Sequence, residues 1–158
     1  MNGGMSKIVK TMASIIFPFI LIYGLYVIAH GHLTPGGGFQ GGAIVASGLA
    51  MIIVAFGSGW TLGKIKTKNL SLLESLGAIG FIILALLGIG FGAVFFNNFM
   101  ANTGSLFGTA VSFGSTAANI NTGGVLPLMN FAVGLKVIAG LFAIVLVMAY
   151  ASGKKEGV

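Results

Sequence analysis

The sequence predicts an all-α integral membrane protein with four transmembrane helices and both termini on the cytoplasmic side. Three observations carry this. Charged residues make up 6% of the chain against 56% hydrophobic ones, with a mean hydropathy of +1.06, which leaves almost nothing to cover a water-facing surface. Four apolar runs are long enough to span a bilayer, at about 11–29, 39–60, 72–96 and 125–150. The lysines other than Lys136 cluster at one alternate set of connections: Lys7, Lys10, Lys64, Lys66, Lys68, Lys154 and Lys155. Under the positive-inside rule those segments are cytoplasmic, and the connection at 97–124 is outside. The whole of 1–158 then reads as one membrane domain, multi-pass in the cell membrane, in contact with lipid throughout. The net charge of +6 reports topology and not nucleic-acid binding. There is no cysteine, which excludes disulfides, thiolate metal sites and cysteine nucleophiles together.

The first run follows Lys7 and Lys10 and contains Pro18, which frees a backbone carbonyl and makes a static kink or a hinge. Its length and the lack of a small-residue cleavage site argue for a mature span rather than a leader. After it comes His30-Gly31-His32-Leu33-Thr34-Pro35-Gly36-Gly37-Gly38-Phe39-Gln40-Gly41-Gly42. Glycines at five of the seven positions 36–42 let this stretch pass close to another backbone. It is not a phosphate loop, because no strand precedes it and no Gly-Lys-Ser/Thr follows. His30 and His32 could ligate a metal only with help that a chain with two acids barely offers; solvated or hydrogen-bonded histidines are the simpler reading. Their ordinary pKa also permits proton exchange at a membrane surface. No metal and no cofactor is expected.

The Gly-His, Pro-Gly-Gly-Gly-Phe and Gly-Gly elements between a first and a second span resemble the MrpB/MnhB subunit of multisubunit sodium/proton antiporters. Equivalent subunits occur in membrane-bound hydrogenases and related respiratory complexes with an antiporter-like module. The resemblance covers roughly residues 8 to 150, and its specific part is Gly31 to Gly42. It implies a small subunit with no catalytic centre of its own, helping to couple sodium and proton movement among other membrane subunits. Pro35, Gly36, Gly37, Gly38, Phe39, Gly41, Gly42 and Pro127 are then expected to pack subunits or shape the motif. Asn130 and Lys136 stand where the free-standing antiporters are expected to carry an acid and an apolar residue, so the run Asn-Phe-Ala-Val-Gly-Leu-Lys looks more like the redox-driven complexes.

The second run is uncharged, with Gly42, Ala46, Ser47 and Gly48 suited to helix packing, and it ends at Trp60. Ser71-Leu72-Leu73-Glu74 has the spacing of a capping box, so Glu74 either caps the third helix at the inner interface or serves as a proton or sodium waypoint. Glycines at 77, 80, 88, 90 and 92 spread over several faces of that helix and suggest close packing on more than one side. The connection 97–124 is long and holds Leu106, Phe107, Val111 and Phe113, which suggests a segment lying on a partner or the membrane surface, with a short helix.

Lys136 is the most informative residue. At about 1.5 Å per residue it lies roughly 16 Å from one end of the last run and 21 Å from the other. An ammonium at that depth costs about 2.5–3.5 kcal/mol, and the lysine stem is too short to return it to water. Small residues surround it on its own face, so it is expected to face protein. Asn130 lies about 120° away around a regular helix and belongs to a different site. With no acid of its own chain expected at similar depth, the counter-ion should come from another polypeptide, or the amine should be neutral. The ion-path candidates are therefore Lys136, Glu74, His30 and His32. Without a buried carboxylate set or a nucleophile cluster, neither a stand-alone transporter nor a stand-alone enzyme is expected. A purely structural scaffold is the alternative to a subunit with a role in ion movement.

Overall fold

The computed structural model describes residues 5–92, 94–111 and 119–155. The described residues form five α-helices and one short 3-10 turn: α1 (Lys7–Ala29), α2 (Gly37–Phe56), α3 (Ser58–Lys64), α4 (Thr67–Gly92), the turn Ile120–Thr122, and α5 (Leu126–Lys155). Four of them, all but α3, are long and apolar enough to cross a membrane. The chain is a multi-pass membrane protein.

Several helix ends differ from the sequence reading by four or five residues, two of them with local consequences. The second span stops at Phe56, because Gly57 adopts φ 91° and turns the chain into α3, which carries Trp60. The third helix begins at Thr67, a full turn before Ser71. Ser71 is therefore inside the helix, where its carbonyl accepts from the Ser75 hydroxyl at 2.9 Å, and Glu74 is no cap. In α1, Pro18 is exposed and sits within one continuous helix.

The long helices stand in a row, α1–α2–α5–α4, with α5 packed on both α2 and α4. Each seam runs over a glycine that admits a neighbouring backbone. A Cβ on Gly41 of α2 would lie 2.6 Å from the Gly24 carbonyl oxygen of α1. One on Gly42 would lie 3.0 Å from the Gly134 carbonyl oxygen of α5. One on Gly77 of α4 would lie 2.7 Å from the Ala132 carbonyl oxygen and 2.8 Å from the Lys136 nitrogen of α5. The residue pairs across these seams make α1 and α4 antiparallel to their neighbours and α2 parallel to α5. Lys7, Lys10, Lys64, Lys66 and Lys68 consequently gather at the end of the row where α5 also finishes. The Met5 amide donates to the Ala55 carbonyl there, at 2.9 Å. Ile53, Leu70, Phe142 and Leu146 form a buried cluster near that end.

At the other end the connections fold onto each other. The chain after α4 turns back, with the Phe96 amide donating to the Ala85 carbonyl at 3.3 Å and residues 94–97 lying over Gly88. The chain's own turn, and not another helix, lies over Gly88. The Asn98 side chain then ties the connection to the start of α5: Oδ1 accepts from the Val125 amide at 2.7 Å and Nδ2 donates to the Gly123 carbonyl at 3.2 Å. The Thr109 amide donates to the Asn121 carbonyl at 2.9 Å. The expected short helix is the turn Ile120–Thr122, and Phe113 lies outside the described residues.

Candidate functional site on the two faces of α5

Helix α5 presents one face to the glycine-rich loop and another to α4, and the candidate residues divide between them. On the first face, Asn130 Oδ1 accepts from the Gly38 amide at 3.3 Å. Gly36 (φ 119°) and Gly37 (φ 45°) turn the chain into α2 in a conformation that side chains with a Cβ rarely adopt. A Cβ on Gly31 or Gly38 would run into Gly37 or the Asn130 carbonyl, which is why this loop is built of glycine. Pro35 precedes the turn and is exposed, as is Phe39, whose ring projects from the first turn of α2.

His30 ends α1. Its ring stacks on Tyr26 at 3.9 Å, and Nδ1 lies 3.1 Å from the Tyr26 carbonyl, which can only accept, so Nδ1 carries the proton. His32 packs against Gly123, which also abuts the fully buried Pro127, and both of its ring nitrogens are buried. Burial, countered by the backbone groups of Ile120 and Asn119, holds its pKa below the ordinary value, and His30 lowers it further. The charged form is therefore disfavoured by folding. The stability that His32 contributes is complete above the ordinary pKa near 6.5 and is lost as pH falls below it toward the lowered folded value. Hydrogen exchange of the amides at 120–125 is expected to accelerate on acidification through this window, and His32→Gln is expected to flatten that dependence.

On the second face, the backbone and Cβ of Lys136 lie against Gly77. The rest of the residue is exposed on the surface of the single chain. Glu74 is half-buried and lies across from Gly140, its carboxylate oxygens 3.4 and 3.8 Å from where a Cβ on Gly140 would stand. Gly140 is four residues from Lys136, about 6 Å along the axis. The chain thus holds an acid within about one helical turn of Lys136, where none of its own was expected at similar depth. Among the described residues no ion pair within 4 Å joins the two, and no three His, Asp or Glu side chains converge as a metal site. Asn130 and Lys136 are on different seams, one against α2 and one against α4. The sequence signal that could have located the Glu74–Lys136 seam was Gly77 and Gly140, since each glycine faces the other helix.

Residues 8–143 match the family described as "Domain related to MnhB subunit of Na+/H+ antiporter". The chain belongs to this family. It is 37% identical over 139 residues to an uncharacterised protein of Methanocaldococcus jannaschii, covering 88% of this chain and 50% of that protein. It is 29% identical over 92 residues to mnhB2 of Staphylococcus aureus (strain Newman), named as a candidate antiporter subunit, covering 58% of this chain and 64% of that one. The chain therefore spans about half to two thirds of the length of these curated relatives. Among solved structures it resembles a chain of the membrane-bound sulfane sulfur reductase, an archaeal respiratory membrane complex, with a TM-score of 0.71 and 31% identity over 94% of this chain and 59% of that one.

Proposed function

We propose that this MnhB-related chain is a non-catalytic membrane subunit of a multisubunit antiporter-like or respiratory complex, in which it helps to couple sodium and proton translocation. The observation that carries the proposal is the position of Lys136: part-way along α5, on the outer surface of the row, one turn from Glu74. An ammonium left to lipid there costs about 2.5–3.5 kcal/mol, so a neighbouring subunit is expected to cover it. An amine and a carboxylate on one seam, closed over by a partner, can exchange protonation as the seam opens and shuts. Likeness to a chain of an archaeal respiratory complex supports a redox-driven assembly. We place the lysine-bearing end of the row in the cytoplasm, with the His30–His32 loop outside.

The test is Lys136→Ala in the assembled complex, assayed in inverted vesicles. Sodium-dependent proton movement is expected to fall by at least ~10-fold, the scale of a coupling free energy of 1–3 kcal/mol, while the subunits still co-purify. Unchanged transport favours the second reading, a scaffold, for which the glycine seams and the exposed Phe39 speak.

A further inference from the structure

A cleft of about 340 Å³ opens at the lysine end of the row, between α1, α2, α3 and α5, at the other end of α2 from the glycine-loop contact with Asn130. Its walls are apolar: Phe17, Leu49, Ile52 and Phe142 line it, and the α3 residues Trp60 and Lys64 stand at its mouth. Lys10 adds a second positive charge at the same place, its Nζ 5.9 Å from the ring of Phe56, which in turn stacks on Trp60 at 4.7 Å. Among the described residues no acidic side chain lines the cleft. Lys66 and Lys68 follow in the next turn of chain. An apolar slot that opens beneath a cluster of amines at the membrane boundary matches a molecule with a hydrocarbon tail and an anionic head.

We infer that this cleft is a binding site for an anionic phospholipid, with one acyl chain in the slot walled by α1, α2 and α5 and the phosphate held by Lys64 and Lys10. The break at Gly57 is what makes the site, because it lays α3 across the end of α2 and brings Trp60 and Lys64 to the cleft mouth. The inference is independent of the ion path through Lys136.

Trp60 is the only tryptophan in the chain and lines the cleft, so it reports occupancy directly. The full chain is reconstituted in phosphatidylcholine vesicles containing a minor share of lipid with brominated acyl chains, either phosphatidylglycerol or phosphatidylcholine. Brominated phosphatidylglycerol is expected to quench Trp60 at about five-fold lower mole fraction per participating lysine, and the preference is expected to shrink in high salt. Lys10→Gln with Lys64→Gln, the first half-buried and the second exposed, is expected to remove the preference with helix content unchanged by circular dichroism. Equal quenching by the two lipids, or a preference that survives the double substitution, overturns the site. So does a crosslink from position 52 to another subunit in the assembled complex, which would place a partner helix in the cleft.

Discussion

Replacing Gly77 by leucine is expected to separate α4 from α5. The atoms that a Cβ would meet are the Ala132 carbonyl oxygen and the Lys136 amide nitrogen, both backbone groups inside a continuous helix that cannot swing aside. Helix association in a bilayer has no hydrophobic drive to offset such a loss, since lipid tails are as apolar as the side chains, and it depends on close packing. Overpacking of this kind costs about 1–3 kcal/mol. The effect is concentrated because α4 packs principally on α5 and stands at the edge of the row. Distances between spin labels at positions 79 and 144, measured in the full chain in detergent, are expected to broaden and lengthen in Gly77→Leu. Gly90→Leu on the same helix is the control: nothing lies within 4 Å of a Cβ there, and the distances are expected to stay as in the parent. Equal disturbance by both substitutions would show that the seam does not depend on Gly77.

Gly38→Ala is expected to unseat the glycine-rich loop from α5, the second large effect. The new methyl would meet the Asn130 carbonyl and stand 3.0 Å from the Cβ of Val133, and the shift needed to relieve this breaks the Gly38–Asn130 hydrogen bond. Asn130→Ala removes the same hydrogen bond without adding bulk, at about 1 kcal/mol. The alanine at position 38 is expected to cost more, about 1–3 kcal/mol, and the ordering of the two is the diagnostic result. Thermal unfolding of the chain in detergent and protease cleavage within residues 31–36 measure it. Gly59→Ala, with open space around the site, serves as the neutral comparison. Asn130→Ala outweighing Gly38→Ala would mean that the hydrogen bond, and not the close approach, seats the loop.

These two expectations rest on features that differ in how far the chain discloses them. The glycines of the 36–42 segment are conspicuous in the sequence, and their use as a close-approach surface follows from the absence of a Cβ. Their counterpart, Asn130, is 92 residues from Gly38, and no local signal marks it as the acceptor. Glu74 shows the reverse situation. Its spacing from Ser71 imitates a cap, yet α4 starts at Thr67, so the carboxylate sits two turns inside the helix and meets Gly140. The break at Gly57 was also not legible, because a glycine within an apolar run reads equally as a packing surface. Only its φ of 91° shows a helix end.

From its residues alone this chain is a four-span helical membrane protein: hydropathy and charge are summed over each run, and twenty apolar residues in lipid have no hydrogen-bonded alternative to a helix. The order α1–α2–α5–α4, the side of α5 that Lys136 takes, and the turn-length spacing of Glu74 from it were decided only by the fold. Those depend on which glycine lets which backbone approach, a short-range steric match between residues far apart in the chain. Composition carries no record of that match.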